Sequence, residues 1–332
     1  MHIIAADVGG TKTRLIVADV AEPDNILYEA RYLSGDFTSF EPLLSTFISD
    51  SGLDAGSVDT LTLALPGLVS KDIARLTNLP WIIEKQLLKD RFGFNSVYFM
   101  NDFQASAFGT CLMQANDRVV LNQADSDSKV ISHNGITVAV GAGTGLGIAW
   151  LQAGRQGQRA YDSEGGHIDF APVNDTQIQL LQFLQRRFEH VSYERILSGN
   201  GLAALYEFCA GKQDPAITAS WVNRQAQSDE AADNALTLFV QIYAAYIGNI
   251  AVLFKPSGGI FITGGIAAKI LNKMQSEAFT SAYLDKGRMR ALVEQIGVYL
   301  VTNDRIGVLG AMSETIKRYN RNQHEQAFKK TG

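Results

Sequence analysis

Ile3-Ile4-Ala5-Ala6-Asp7-Val8-Gly9-Gly10-Thr11-Lys12-Thr13-Arg14-Leu15-Ile16-Val17-Ala18 is the stretch on which the fold turns. Two β-rich apolar runs, residues 3–6 and 15–18, flank a short Gly-Gly turn, and that pattern predicts an antiparallel hairpin. Adjacent glycines let the backbone curl and point its N–H groups at an anion. Thr11 adds a hydroxyl donor. Asp7 adds a negative charge that repels phosphate unless a cation lies between them, so the combination suggests a Mg²⁺-nucleotide. An ordinary hairpin turn is the alternative, and this stretch alone does not separate the two.

Composition narrows the classes. With 332 residues, 46% hydrophobic and 19% charged, the chain has the make-up of a globular protein long enough for two core-bearing domains. A net charge of −5 argues against nucleic acid, because the only dense basic patch is Lys329-Lys330 with Arg318 and Arg321 upstream. Cys111 and Cys209 cannot build a disulfide framework or a four-thiolate zinc site, which fits a reducing cytoplasm. No secretory signal is visible at the N-terminus. Residues 235–254 carry no charge and are long enough to span a bilayer. Gln241, Asn249, Thr237, Tyr243 and Tyr246 interrupt that run, and similar glycine loops lie on both sides of it. A buried helix ended by Lys255-Pro256 is therefore expected, and no membrane.

Working outward from the hairpin, residues 25–33 read as a third strand after a Pro23-Asp24 turn. Thr38 or Ser39 caps a helix running through residue 48. Strands are expected at 61–65 and 96–100 and a helix at 85–92, giving an α/β layer with an antiparallel start and a parallel continuation. A helix follows from Asn101-Asp102 to residue 113, then a polar exposed loop at 125–132. At that point the pattern restarts: strand 136–140, turn Gly141-Ala142-Gly143-Thr144-Gly145, strand 146–151. Thr144 takes the place of Thr11, and Val140 stands where the first half has Asp7, so the chain reads as a duplicated domain. Helices from about 176 and 192, a strand at 260–263, a helix at 266–274, a strand at 298–301 and a helix at 307–319 complete the pattern, with a frayed polar tail.

Neither the P-loop nor the Rossmann glycine pattern is present. Two strand–turn–strand nests remain, together with Gly264-Gly265 at a strand-to-helix junction, and three such loops after apolar strands favour a phosphate-handling cleft. Asp102, at the carboxyl end of a strand, is the candidate base for phosphoryl transfer. A helix cap by Asn101 or Asp102 is the competing explanation. Glu164-Gly165-Gly166-His167 sets a carboxylate and an imidazole three residues apart and could hold vicinal sugar hydroxyls, with a metal site involving Asp169 as the weaker option. Glu194, two residues after Ser192, can be explained locally as an acid in the first turn of a helix.

Residues 7–11, the GAGTGLG run at 141–147 and GGIFITGGI at 258–266 resemble the phosphate-1, phosphate-2 and adenosine motifs of the sugar kinase–actin–Hsp70 superfamily. Asn101-Asp102-Phe103, EGGHIDFAP at 164–172 and VSYERILSG at 191–199 are similar to segments of bacterial ATP-dependent glucokinases of the non-ROK branch. The ROK branch usually adds a cysteine-rich zinc motif, which two separated cysteines cannot supply. Asn200 stands where many relatives have proline. The resemblance implies two ribonuclease-H-like (actin-like ATPase) α/β domains with a nucleotide and sugar cleft between them. One comprises residues 1–112 and 303–332, the other residues 113–302. It also implies phosphorylation of D-glucose at the 6-hydroxyl by ATP with Mg²⁺, in a cytoplasmic homodimer. Asp102 would be the base, and Asn101, Asp102, Glu164, His167 and Glu194 would contact sugar. Ala6, Asp7, Val8, Gly9, Gly10, Thr11, Gly141, Gly143 and Thr144 would line the phosphates, Asp7 would help hold Mg²⁺, and Gly264 and Gly265 would approach adenosine. A kinase for another hexose, such as mannose or fructose, and an actin-like ATPase without a sugar are the alternatives.

Overall fold

The computed structural model describes all residues except 23–24, 70, 77–78, 124–134, 155–156, 213–215 and 332, and side chains throughout these except at 55, 68, 69 and 324–331. The Pro23-Asp24 turn, the 125–132 loop and the side chains of Lys329 and Lys330 therefore lie outside the described residues. The chain divides into two compact units, Met1–Met113 with Asp304–Gly332, and Gln114–Asn303.

In the first unit, β1 (His2–Val8), β2 (Lys12–Asp19) and β3 (Ile26–Leu33) form an antiparallel meander followed by helix α1 (Phe40–Ser51). Ser39 is the cap residue of α1 by backbone, but its hydroxyl donates to Glu41 and not to the helix N–H groups. β4 (Val58–Leu65) then pairs parallel with β1. Three short strands follow, β5 (Leu68–Val69), β6 (Ile73–Arg75) and β7 (Ile82–Glu84), in a separate small antiparallel sheet. Runs of two or three residues carry too little periodicity to be seen in sequence. Helix α2 (Lys85–Phe92), strand β8 (Ser96–Asn101) and helix α3 (Asp102–Thr110) complete this part. The main sheet runs β3-β2-β1-β4-β8, with β8 parallel to β4. Alternation along β1 sends Ile4, Ala6 and Val8 into a core with Phe40, Leu43, Leu44 and Phe47 of α1.

The second unit contains β9 (Arg118–Asn122), β10 (Ile136–Ala142), β11 (Leu146–Gly154) and β12 (Gly157–Ser163). Helices α4 (Asp175–Gln185), α5 (Gly199–Ala210), α6 (Ala219–Gln225) and α7 (Glu230–Phe254) follow. After β13 (Ile260–Thr263) come α8 (Gly265–Lys269), α9 (Leu271–Met274), α10 (Glu277–Leu284), α11 (Arg290–Glu294) and β14 (Val298–Val301). The expected helix at 266–274 is thus two pieces that meet at Ile270, where φ is −112° and ψ 30°. The sheet order is β12-β11-β10-β13-β14-β9, with the first three strands antiparallel and β10, β13 and β14 parallel. Apart from β9, this repeats the order and directions of the first sheet. The apolar helix α7 belongs to the core: in its most hydrophobic stretch 72% is buried, with Leu236, Phe239, Tyr243 and Ile247 packed against Val138, Val140 and Ile262.

The chain ends in α12 (Ile306–Thr331), which returns to the first unit. A frayed tail after residue 319 was expected from its polarity, but the helix continues. Asn322 Nδ2 donates to Tyr98 Oη at 2.7 Å, and Arg318 lies over the Tyr98 ring while pairing with Glu314, so polar contacts extend the helix beyond its apolar face. The first part of α12 crosses α3 closely: Gly109 abuts the Ile306 carbonyl and Gly310 abuts that of Ala105.

Candidate functional site

In the first unit, the β1–β2 turn closes with Gly9 N–H donating to Lys12 O at 3.0 Å. Ser34, which no sequence signal marks, braces it: its hydroxyl donates to Gly9 O at 2.7 Å and its N–H to Thr11 O at 3.0 Å. Asp7 lies on the face of β1 opposite Ile4 and Ala6, with the first turn of α12 against it. A Cβ on Gly307 would come within 2.5 Å of Asp7 Oδ2. Burial pushes the Asp7 carboxyl up to about 7, the charge of Asp102 pushes the same way, and Arg14 opposes both. Arg14 itself is held by Glu29 at 2.6 Å and Asp304 at 2.8 Å.

Asn101 ends β8 and caps α3, its Oδ1 accepting from the N–H groups of Phe103 at 2.8 Å and Gln104 at 3.2 Å. The capping role anticipated for Asn101 or Asp102 thus belongs to Asn101, with Asp102 at the first helical position. With Oδ1 engaged in the cap, the amide N–H groups are the donors that the Asn101 side chain has left. Both residues stand at the carboxyl end of a parallel strand, where open α/β sheets bind ligands.

In the second unit, the corresponding turn is one residue shorter, and Gly143 N–H donates to Gly145 O at 2.8 Å. Hairpin register corrects the alignment of the two halves. Asp7 opposes Arg14 one pair before the first turn, and Gly141 opposes Gly147 one pair before the second, so Gly141 and not Val140 is the counterpart of Asp7. A Cβ on Gly141 would lie 2.6 Å from Thr263 O, so no carboxylate fits there. Gly264, with φ +88°, follows β13 and packs against Ala142; Gly264 and Gly265 are both exposed.

Three of the five sugar-contact candidates, Glu164, His167 and Glu194, lie together beside this second turn, while Asn101 and Asp102 belong to the first unit. An isolated bridge pairs Asp169 with Ser192, so the 164–172 and 191–199 segments run together. Glu164 precedes a 3₁₀ turn, Gly165–His167, and His167 Nε2 lies 3.7 Å from Glu164 Oε2 and 3.8 Å from Glu194 Oε1. Glu194 sits in a single 3₁₀ turn, Tyr193–Arg195, and the true helix starts later, capped by Ser198. The helix expected from about 192 is thus a single turn: Ser192 stands at its N-cap without a side-chain bond, and Glu194 lies in its first turn. Its Oε2 accepts the N–H of Leu146 at 2.9 Å, which ties the carboxylate to the glycine turn. Asp169 pairs instead with His190 at 3.3 Å. Among the described residues no group of three His, Cys, Asp or Glu has metal-binding geometry.

The family model for glucokinase matches residues 4–317. The chain belongs to the glucokinase family. The glucokinase of Nostoc punctiforme is 32% identical over 338 residues, spanning 93% of this chain and 97% of that one. The crystal structure of a glucokinase from an Antarctic psychrotroph superposes with a TM-score of 0.79 at 30% identity, over 95% of this chain and 98% of the other. That of Balamuthia mandrillaris glucokinase in complex with glucose gives 0.80 at 22% identity, over 95% and 93%, a likeness of fold. The repeated sheet belongs to the sugar-kinase, actin-like ATPase fold.

Proposed function

We propose that the chain transfers the γ-phosphoryl group of ATP to the 6-hydroxyl of D-glucose, giving glucose 6-phosphate and ADP. The observation that carries this reading is the Glu164–His167–Glu194 cluster joined to the second glycine turn through Leu146 N–H. A hydroxyl-binding group built onto a phosphate loop serves a sugar kinase and has no use in an ATPase that lacks a sugar. The matching strand orders support reading both units as ribonuclease-H-like domains.

Asp102 would take the proton from the 6-hydroxyl as the new P–O bond forms, a step that asks mainly for position. Asn101, Glu164, His167 and Glu194 would bind the remaining hydroxyls, each carboxylate accepting and the amide donating. Residues Ala6 to Thr11, with Gly141, Gly143 and Thr144, would cradle phosphate, and Gly264 and Gly265 would leave room for adenosine. The fit of Mg²⁺ follows from Asp7: a carboxyl pushed to about 7 by burial and by Asp102 is one that a cation returns to its ionised form. Bound there with nucleotide, Mg²⁺ would offset charge on the phosphoryl oxygens, the nucleotide and water supplying most of its ligands. Losing one sugar hydroxyl would leave a site group unpaired at a cost of roughly 1–3 kcal/mol, a basis for selectivity. Cys111 and Cys209, neither of them in a disulfide, fit a cytoplasmic enzyme, and family likeness adds a homodimer.

ADP release with ATP and a panel of glucose, mannose and fructose tests the reading. Glucose is expected to raise release well above the sugar-free control. A stronger response to another hexose reassigns the substrate, and equal release without sugar removes the kinase reading.

A further inference from the structure

Helix α7 is uncharged from residue 235 onward, yet Tyr243, Tyr246 and Asn249 place a polar group every three residues along one side. Each meets a different functional segment. Tyr243 Oη accepts the N–H of Ala142, the last residue before the second glycine turn, at 3.2 Å. Tyr246 Oη donates to the carbonyl of Gly165, between Glu164 and His167, at 2.9 Å. Asn249 Nδ2 donates to Tyr193 Oη at 3.2 Å, and Tyr193 immediately precedes Glu194. The Tyr193 ring also packs on that of Tyr246, centroids 4.6 Å apart, and edge-on to Phe170 at 5.7 Å.

We propose that Tyr243, Tyr246 and Asn249 are positioning residues: a ladder on α7 that fixes the phosphate turn, the Glu164–His167 turn and the Glu194 turn relative to one another. The inference rests on the proposed roles of Glu164, His167 and Glu194. The physical case is one of cost. Tyr243 and Tyr246 are buried, and a phenylalanine would fill the same space without desolvating a hydroxyl. Burial pushes both phenols up, so they stay neutral donors and acceptors at working pH. The helix is a stable base for such a register: Asp229 caps it through the N–H groups of Ala231 and Ala232, and most of its apolar side chains are buried in the core. The spacing matches the three attachment points, so a shift of one segment is resisted by the helix that holds the other two.

Steady-state kinetics of Tyr246→Phe, Tyr243→Phe and Asn249→Ala in the full chain, alongside melting curves, test the ladder. Losing one hydrogen bond from a segment is expected to weaken that segment's ligand about three- to tenfold. Tyr246→Phe should raise the KM for glucose with that for ATP within twofold, and Tyr243→Phe should do the reverse. Asn249 is exposed, so Asn249→Ala should leave the melting temperature in place while raising both KM values about threefold through Glu194. Variants that melt earlier but keep both KM values, or that shift both equally at Tyr243 and Tyr246, overturn the ladder. Glu164→Gln separates the two readings. If it leaves the KM for glucose unchanged, the sugar-site assignment fails. If it raises that KM while Tyr246→Phe is silent, the ladder alone fails.

Discussion

On the proposed reading, Glu194 is the point where one substitution reports on two ligands at once. One carboxylate oxygen accepts the Leu146 N–H at 2.9 Å, at the end of the phosphate turn, and the other lies 3.8 Å from His167 on the sugar side. Hydrogen bonds to a charged acceptor are worth about 1.5–3 kcal/mol, against about 1 for neutral pairs. Glu194→Gln keeps an acceptor for Leu146 but discards the charge, a loss of roughly 1 kcal/mol, or about fivefold in kcat/KM. Glu194→Ala removes the acceptor for Leu146 and the sugar contact together, so the loss rises to roughly 2–4 kcal/mol, about thirty- to a thousandfold. The assay is ADP release with glucose and ATP varied separately. Both KM values are expected to rise in the alanine variant, because the phosphate turn loses its brace when the sugar loses its partner. A Glu194→Ala variant whose KM for ATP stays within twofold of the parent would refute the coupling, leaving Glu194 a sugar contact only.

Asp102→Asn is expected to bind glucose, measured by calorimetry, while turnover falls by orders of magnitude; retained turnover removes Asp102 as the base. The raised Asp7 carboxyl stabilises the nucleotide-free fold only while it is protonated, so that contribution is present below about pH 4 and lost as pH rises toward 7. Asp7→Asn should therefore gain melting temperature over the parent progressively from about pH 4 to 8, and lose activity with ATP and Mg²⁺; a melting difference that does not change with pH contradicts this account. Gly310→Ala would drive a methyl into the Ala105 carbonyl where α3 and α12 cross, and urea denaturation should show roughly 1–3 kcal/mol less stability; an unchanged midpoint would mean the helices separate freely.

Sequence legibility followed element length and type of contact. The two hairpins, the buried strand at 298–301 and α2 have long or well-punctuated patterns, and their limits lie close to expectation. β5 to β7 are too short to impose a period, although Trp81 beside them is buried against Phe40. The tail was misjudged because Asn322 and Arg318 hold it through polar contacts with Tyr98, which no hydrophobic pattern records. The local reading of Glu194 missed one contact for a related reason. An acid after a serine looks like the start of a helix, and only the long-range bond to Leu146 N–H shows that its carboxylate serves another segment. Tyr243 and Tyr246 counted in sequence as marks against a lipid-facing helix; which backbone groups their hydroxyls meet is decided by residues about 80 to 100 positions away.

The two halves share a sheet order but have diverged at one point with chemical consequences. In the first, the pair before the turn is Asp7 opposite Arg14; in the second it is Gly141 opposite Gly147. The crowding of Gly141 against Thr263 O leaves that strand end without a side chain. The acid near the second turn comes instead from Glu194, on a separate segment, and approaches Leu146 from outside the hairpin. The two placements lead to different chemistry. A carboxylate fixed within the strand and pushed to about 7 suits a cation that comes and goes with nucleotide. A carboxylate on a neighbouring turn, hydrogen-bonded through one oxygen and partly exposed, can meet a second ligand through the other. On the proposed reading, the strand acid Asp7 gives one nest to metal and phosphate, and Glu194 gives the other to phosphate and the sugar that receives it.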